Sequence, residues 1–303
     1  MKNILITGVN GFIGTHCYNY FLSKGNNVYG IDICTSDKSN CLTGNISQDL
    51  LESFNMKFDL IIHLAGSGSV SQANKDPENE EKKTVDSTRI LIQFIKEKCP
   101  DAKLLYASSA AVYGNDYSNK ISEDSQTDPF STYGTHKLKV EKLLETESKN
   151  NNLKCCIIRF FSVYGEGLRK QVLWDFTNRL LDNFHSDTLQ CYGTGEELRD
   201  FVHIDDVVKM FEFSSALKSD FEIINCGTGN GRSIKSILQK ISFTLNYSGK
   251  LVFEDHIQAG NPMFLVADTK KASGLGYSPE ITFDKGLIRY IEWLKGERTN
   301  DKK

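Results

Sequence analysis

The first half of the chain alternates between short apolar runs and amphipathic stretches. The apolar runs are rich in Ile, Leu, Val and aromatic residues, and they predict strands at 3–8, 27–32, 59–66, 102–109 and 153–161. Helical spacing of apolar residues lies between them, at 12–25, 84–99 and 133–148. Continuous apolar strands between amphipathic helices are typical of a parallel sheet covered on both faces. The pattern therefore predicts an α/β fold with a doubly wound parallel sheet.

The alternation loosens after about residue 165. Later segments such as "RDFVHIDDVVKMFEF", "FEIINCGTG" and "SIKSILQKIS" predict a smaller C-terminal α/β lobe. We expect residues 1–165 to form the main domain, with a later segment at about 193–215 returning to it. Residues 166–295 would then form mainly a substrate-binding lobe, and residues 296–303 a flexible tail.

Composition and charge exclude several classes of protein. The 303 residues are 39% hydrophobic and 25% charged, as in an ordinary globular protein. A net charge of −3 gives no reason to expect nucleic acid or an anionic membrane as partner, and no apolar run is long enough to span a bilayer. Eight cysteines without a C-x-x-C pair indicate reduced thiols rather than disulfides or a zinc site. We therefore expect a cytoplasmic protein without a metal.

Three glycines, Gly8, Gly11 and Gly14, follow the first predicted strand and open the first predicted helix. In this context one glycine permits a tight turn, one lets the backbone approach a pyrophosphate, and one lets helix and strand pack closely. The N–H groups and dipole of the helix N-terminus then hold the phosphates. The motif predicts a Rossmann-type dinucleotide site, and residues 1–165 would be its domain.

Asp32 ends the second predicted strand, about twenty residues after the glycines. A carboxylate there can accept both hydroxyls of an adenosine ribose, whereas it would repel a 2′-phosphate. The following "ICTSDKSN" contains no arginine. Asp32 therefore favours NAD over NADP, although a strand-end turn residue would look the same.

The stretch "YGTHK" places Tyr133 and Lys137 four residues apart. In a helix the two side chains lie on the same face. A fixed ammonium favours the phenolate and lowers the pKa of a phenol, which is ordinarily about 10. The pair is common by chance, so only its surroundings can distinguish proton-transfer residues from surface residues.

Several further motifs occur in a fixed order along the chain. They are "HLAG" (63–66), "YASSAAVYG" (106–114), "YGTHK" (133–137), "RFFSVYG" (159–165) and "GTGEELRDFVHIDDV" (193–207). With the glycine motif they resemble the extended short-chain dehydrogenases/reductases that act on nucleotide sugars, a group that includes UDP-galactose 4-epimerases, 4,6-dehydratases and 4-ketosugar reductases. The resemblance spans nearly the whole chain and makes Tyr133 and Lys137 members of a catalytic set.

The resemblance implies roles for individual residues. Tyr133 would exchange a proton with a sugar hydroxyl, Lys137 would support it and bind the nicotinamide ribose, and Ser109, with Ser108 as the fallback, would donate a hydrogen bond to the same oxygen. The implied cofactor is NAD. Its binding residues would be Gly8, Asn10, Gly11, Phe12, Ile13, Gly14, Asp32, Ile33, Asn45, Ile46, Leu64, Ala65, Gly66, Ala107, Ser108, Tyr133 and Lys137.

Departures from the family pattern reduce the number of possible reactions. The 4,6-dehydratases carry Asp and Glu after the catalytic hydroxyl, whereas this chain has Ala110 and Ala111. These alanines also exclude the cysteine of the GDP-fucose synthase-like enzymes from this segment. Hydride transfer at C4 remains, and we expect a nucleotide-sugar 4-epimerase. An NAD(P)H-dependent reductase of 4-keto-(6-deoxy)sugar nucleotides and a 4-dehydrogenase stay open, as does, more remotely, a catalytically silent dinucleotide sensor.

The substrate side departs further from the family. The resemblance places Ser109, Ser162, Arg199 and Gln258 at the nucleotide-sugar substrate, but the family usually has Asn at the position of Ser162 and often Arg near Gln258. These differences argue against a close copy of UDP-galactose 4-epimerase and favour a specialised sugar. Family members commonly dimerise through two long helices, so we expect a homodimer through 84–99 and 133–148. The alternative is that these helices only cover the sheet.

Overall fold

The structure, a computed structural model, describes residues 1–66, 68, 70–254 and 262–300. The chain divides into two compact units. The first contains residues 1–114, 123–160 and 207–226, and the second contains residues 115–122, 161–206 and those from 227 onward.

The strands and helices follow in chain order. The strands are β1 (Asn3–Thr7), β2 (Asn27–Asp32), β3 (Cys41–Thr43), β4 (Leu60–His63), β5 (Lys103–Ser109), β6 (Cys155–Phe160), β7 (Ser162–Tyr164), β8 (Thr188–Cys191), β9 (Leu198–His203), β10 (Phe221–Cys226), β11 (Gly231–Ser233), β12 (Lys250–Phe253) and β13 (Phe264–Leu265). The helices are α1 (Phe12–Ser23), α2 (Gln48–Glu52), α3 (Val70–Lys75), α4 (Pro77–Glu81), α5 (Ser87–Lys98), α6 (Thr132–Asn151), α7 (Gln171–Asp182), α8 (Ile204–Ala216), α9 (Ile234–Thr244), α10 (Lys270–Leu275) and α11 (Phe283–Asn300).

A seven-stranded sheet in the order β10-β6-β5-β4-β1-β2-β3 forms the centre of the first unit. All of its neighbouring strands pair in parallel. Strands β4 and β6 are buried along their whole length, as expected for a sheet that is covered on both faces. The doubly wound fold predicted from the sequence is therefore confirmed.

The starts of the two long helices beside this sheet, α6 and α5, are marked by a capping residue and by a π-helical turn, respectively. Ser131 caps α6, and its side chain accepts a hydrogen bond from Gly134 N at 3.1 Å. A π-helical turn at Lys82–Asp86 precedes α5, so the regular helix starts at Ser87 rather than at residue 84. Apolar residues of both helices pack into the core of the sheet.

The second unit has smaller sheets. Strand β9 pairs with β11 antiparallel and with β13 and β7 in parallel, and β8 pairs with β12 in parallel. A cluster of aromatic rings around Tyr164, Phe201 and Phe283 packs on β7 and β9. No helix within the described residues is long and apolar enough to cross a bilayer.

Two expectations about the chain's second half need correction. The segment "FEIINC" does not belong to the smaller lobe, because it forms β10 and pairs with β6 at the edge of the large sheet. The segment that returns to the first unit is 207–226, rather than 193–215. Residues 296–300, which the sequence assigns to the tail, continue α11 to Asn300, and Arg298 Nη1 donates to Asn178 Oδ1 at 2.8 Å.

Candidate active site

The loop after β1 brings three glycines to the start of α1. Gly8 has a φ of +71°, a left-handed conformation that glycine adopts without strain. A Cβ on Gly14 would collide with the Gly8 carbonyl oxygen, so only glycine lets the helix pack this closely on the loop. Gly11 precedes the helix without a capping side chain, which leaves the first-turn N–H groups to an anion. The loop fits the pyrophosphate of a dinucleotide.

Asp32 closes β2 with its carboxylate held by the backbone of two loops. Oδ2 accepts a hydrogen bond from Asn10 N at 2.8 Å, and Oδ1 accepts one from Cys34 N at 3.0 Å. A carboxylate has about four acceptor positions, so this one retains capacity for two ribose hydroxyls. Lys38 reaches the same loops, where its Nζ donates to Asn10 Oδ1 at 2.8 Å. Nothing in the sequence pattern singled out this lysine.

The segment after β4 is hydrogen-bonded to the end of β1. Leu64 N donates to Thr7 O at 3.1 Å, and Ala65 N donates to Thr7 Oγ1 at 3.2 Å. His63, fully buried at the end of β4, lies between two hydroxyls, with Nδ1 2.7 Å from Thr7 Oγ1 and Nε2 2.9 Å from Thr88 Oγ1. Burial lowers the pKa of His63 to about 3, so the ring is neutral and structural.

The other cofactor-binding candidates of the first unit differ in exposure. Ile33, after β2, is 62% exposed, and Asn45, after β3, is also exposed. Phe12, Ile13, Leu64 and Ala65 are partly buried, Gly66 is exposed, and Ile46 and Ala107 are buried. Because most of these residues follow parallel strands, they share the carboxyl edge of the large sheet with Asp32 and the glycine loop.

Tyr133 and Lys137 lie on the face of α6 that packs on the end of β5. Gly134 allows this approach, because a Cβ there would collide with the Ala111 carbonyl oxygen. Tyr133 makes a hydrogen bond with the Ser109 side chain. The Ser109 Oγ also accepts a hydrogen bond from Ala111 N at 3.2 Å, which leaves its own proton for the tyrosine. The three predicted catalytic residues therefore come together at the carboxyl end of β5.

The pKa of Tyr133 is raised, whereas the sequence predicted that Lys137 would lower it. Burial raises its pKa, the Ser109 hydrogen bond opposes the rise, and the Glu80 carboxylate adds to it. Lys137 Nζ lies 5.8 Å from the centroid of the Tyr133 ring and donates to Ala107 O at 2.8 Å. Because the ammonium is directed at the strand, the expected lowering of the tyrosine pKa by Lys137 is not present in this structure.

Lys137 is itself buried, and two carboxylates act on its charge. Burial lowers the pKa of Lys137 to about 8, and the negative charges of Glu80 and Glu141 limit the fall. Glu80 is 5% exposed, and its Oε1 accepts a hydrogen bond from Thr84 Oγ1 at 2.7 Å. Neither carboxylate was predicted from the sequence, although Glu141 follows Lys137 by four residues and so shares its helical face.

The Ser108 side chain is buried and already hydrogen-bonded within the protein. It is 3% exposed, and its Oγ donates to Glu141 Oε1. Ser108 is thus occupied by Glu141, two turns along α6 from Tyr133, whereas Ser109 contacts Tyr133 itself. Ser109 is therefore the better candidate, and Ser108 can approach a cofactor only through its backbone.

The expected substrate contacts outside β5 belong to the second unit. Ser162 opens β7, and Arg199 lies on the neighbouring strand β9. Burial lowers the pKa of Arg199, an effect that the Glu197 carboxylate opposes. Arg199 Nη1 donates to Leu198 O at 2.8 Å. Gln258 lies outside the described residues.

Comparisons with known proteins agree with these observations. The model of the NAD dependent epimerase/dehydratase family matches residues 4–227. A putative UDP-glucose 4-epimerase of Methanocaldococcus jannaschii is 27% identical over 96% of this chain and 98% of the relative. The dTDP-4-dehydro-6-deoxyglucose reductase of Escherichia coli is 28% identical over 97% of this chain and 98% of that protein.

A solved structure extends the similarity to the fold. The UDP-glucuronic acid 4-epimerase of Bacillus cereus, crystallised with UDP-glucuronic acid and NAD, superposes with a TM-score of 0.85 at 27% identity. The superposition covers 97% of this chain and 99% of the other. Similarity therefore includes both units rather than the dinucleotide-binding sheet alone.

Proposed function

Because the chain belongs to the NAD-dependent epimerase/dehydratase family, we propose that it transfers a hydride at C4 of a nucleotide-activated sugar and acts as a 4-epimerase. The membership confirms three predictions from the sequence, namely the family, an enzymatic activity and the cofactor NAD. The observation that carries the activity is the meeting of Tyr133, Ser109 and Lys137 at the end of β5.

The side chains divide the proton chemistry among them. Tyr133 takes the proton from the C4 hydroxyl during oxidation and returns it to the C4 oxygen during reduction. Ser109 donates a hydrogen bond to the same oxygen. NAD, when bound, supplies the hydride acceptor and a positive charge beside the phenol. Within the protein itself it is the Ser109 hydrogen bond, and not the Lys137 ammonium, that opposes the rise in the Tyr133 pKa that burial causes.

Residues of the second unit would select the substrate. We assign Arg199, a partly buried cation, and Ser162 to the nucleotide-sugar diphosphate, and on sequence grounds we assign Gln258 to it as well. A serine and a glutamine offer weaker phosphate contacts than the asparagine and arginine they replace. These replacements support a specialised sugar rather than UDP-galactose as substrate.

A 4-ketosugar reductase is the second candidate, and the similarity to the Escherichia coli reductase favours it. The same three side chains serve both reactions, because the reductase performs only the return of the hydride. The difference lies in the cofactor. An epimerase recycles its own hydride, whereas a reductase must exchange NADH with the solvent in every turnover.

The deciding experiment starts from protein purified without added cofactor. The protein is denatured, and the released dinucleotide is identified and counted by chromatography and absorbance. Near-stoichiometric NAD favours the epimerase, and little or none favours the reductase or the 4-dehydrogenase. A second aliquot is incubated with UDP-glucose, UDP-glucuronic acid or UDP-N-acetylglucosamine in D₂O. Interconversion of C4 epimers without deuterium at C4 is the expected result, and absence of any turnover with these and with 4-ketosugars would contradict the proposal.

We further propose a homodimer in the cytoplasm. All eight cysteines are free thiols, which supports a reducing compartment. Most large apolar residues of α5 and α6 are buried in the unit's own core, while Ile90 and Leu143 are only partly buried and remain available to a partner. Light scattering after size-exclusion chromatography tests the dimer, and a monomer mass at micromolar concentration would contradict it.

A further inference from the structure

Three side chains on one stripe of α6 contact the last three residues of β5. Tyr133 hydrogen-bonds Ser109, Lys137 Nζ donates to the Ala107 carbonyl oxygen, and Glu141 Oε1 accepts from Ser108 Oγ. The side chains are four residues apart, so each lies one turn above the previous one. Only the first two belong to the proposed chemistry, and the third has no role in it.

Glu141 is held from the other side by Arg159 on β6. Arg159 Nη2 donates to Glu141 Oε2 at 2.7 Å, and Arg159 Nε lies 3.1 Å from Oε1 and 3.2 Å from Oε2. The side chains are 5% and 3% exposed, so the ion pair is fully buried. A planar guanidinium that grips a carboxylate at several points fixes its orientation as well as its position.

Arg159 also makes two hydrogen bonds away from Glu141. Nη1 donates to Tyr113 OH at 2.9 Å and to Glu123 O at 3.1 Å. Tyr113 OH in turn donates to Asn225 Oδ1 at 2.6 Å, on β10. The network therefore connects β6, β10 and the segment after β5 to a single carboxylate on α6. A buried ion pair contributes little to folding stability, so a gain in stability does not explain this one.

We propose that Glu141, clamped by Arg159, is a positioning residue that fixes α6 on the end of β5 and thereby sets the relation of Tyr133 to Ser109. The clamp acts through Ser108, which adjoins Ser109, and through the helix turn that carries Lys137. Its negative charge also helps to keep Lys137 protonated. The expected effect on kcat rests on the proposed function, whereas the expected effect on the Lys137 pKa does not depend on it.

The charged and titratable groups around Lys137 come from four elements. They are Glu80 on α4, His63 on β4, Tyr106 on β5, and Tyr133 and Glu141 on α6. His63 is neutral, because burial lowers its pKa to about 3. The two carboxylates are therefore the groups whose removal should lower the pKa of Lys137.

The test uses two variants of the full chain. Ser108→Ala removes the contact between the clamp and β5 and leaves the buried ion pair intact. It is expected to lower kcat about 10-fold, with KM and the NAD dissociation constant within about twofold, because small displacements of reacting groups reduce rates steeply. Glu141→Gln should lower kcat further and lower the pKa of Lys137 by about one unit. That pKa is followed by ¹⁵N NMR of the lysine Nζ, with its resonance assigned by its loss in Lys137→Met.

Controls separate positioning from folding. Glu141→Gln leaves the Arg159 charge unpaired, so Glu141→Gln/Arg159→Met is made to remove both charges. The double variant should regain thermal stability but not kcat. Glu145→Gln, one turn further along α6 and paired with the exposed Lys149, should change neither kcat nor the Lys137 resonance.

The outcomes are distinguishable from a failure of the proposed function. Wild-type kcat in Ser108→Ala together with an unchanged Lys137 titration in Glu141→Gln would overturn the positioning role. A wild-type protein without turnover on any nucleotide sugar would refute the activity alone. The NMR titration and the NAD dissociation constants would then still decide on the clamp.

Discussion

Ser108 and Ser109 are neighbours on β5, and their hydroxyls contact two different residues of α6. Ser109 hydrogen-bonds Tyr133, and Ser108 donates to the buried Glu141. One residue therefore carries the candidate chemistry, while the next anchors the helix that supplies the tyrosine. The site therefore depends on the register of β5 with its neighbours, since a slip by one residue would exchange the two roles.

Tyr133→Phe is expected to lower kcat by a factor of about 10² to 10⁴, because it removes the group that exchanges the proton and little else. The NAD dissociation constant, measured by calorimetry, should stay within about threefold of the wild type. Wild-type turnover in the variant would contradict the role assigned to Tyr133.

Asp32→Ser should shift cofactor preference toward NADP. Loss of the carboxylate weakens the ribose contacts by roughly 1.5–3 kcal/mol and removes the repulsion of a 2′-phosphate, while the Lys38 ammonium remains at the same loop. The ratio of the NAD and NADP dissociation constants is the measurement. Adding Lys38→Ala should reverse the gain in NADP affinity, and an equal gain without the lysine would show that Lys38 is not involved.

The stability of the protein should depend on pH through Lys137. Its folded pKa is about 8, below the ordinary value of 10.5, so between these values the unfolded chain holds a proton that the folded chain has released. Stability of the wild type relative to Lys137→Met should therefore rise with pH over this window, by at most about 3 kcal/mol. Below pH 8 Lys137 is protonated in both the folded and the unfolded protein, so the full destabilisation by its buried charge is present.

Urea unfolding at pH 7.5 and pH 9.5 measures this difference for the two proteins. Comparison with Lys137→Met removes the contributions of buried cysteines and tyrosines, whose raised pKa values act in the opposite direction. Lys139→Met changes an exposed lysine on the same helix and should show no pH-dependent difference. A constant difference between the wild type and Lys137→Met at both pH values would contradict the shifted pKa.

Gly14→Ala should abolish or severely weaken NAD binding. The added methyl group would meet the Gly8 carbonyl oxygen, so the glycine loop or α1 must move. Overpacking of this kind costs about 1–3 kcal/mol and displaces the N–H groups that hold the pyrophosphate. Gly274→Ala, where a Cβ meets nothing within 4 Å, is the matched control for the substitution itself. Tight NAD binding by Gly14→Ala would show that the loop can adapt.

The sequence predicted the elements whose signal is local. Strands β1, β2, β4, β5 and β6 are continuous apolar runs, and the glycine motif and the Tyr133–Lys137 spacing depend only on neighbours in the chain. The role of "FEIINC" escaped prediction, because pairing of β10 with β6 joins residues that are distant in sequence. The pattern of apolar residues predicts that a segment forms a strand, but not which strand it pairs with.

Most parts of the site that were missed from the sequence depend on contacts between residues that are distant in the chain. Lys38 reaches Asn10, and Arg159 grips Glu141 from another strand. The choice between Ser108 and Ser109 required the register of β5. The lowered tyrosine pKa failed as a prediction because spacing placed Lys137 on the correct face but could not show that its ammonium is bound by Ala107 O.

The position of β10 has a consequence for synthesis of the chain. The sheet recruits its edge strand from residues 221–226, so β6 has no neighbour on one side until these residues have left the ribosome. An unpaired apolar strand is a template for association with other chains. The nascent protein must protect β6 for several seconds, and a fragment that stops at residue 165 would carry this exposed edge permanently.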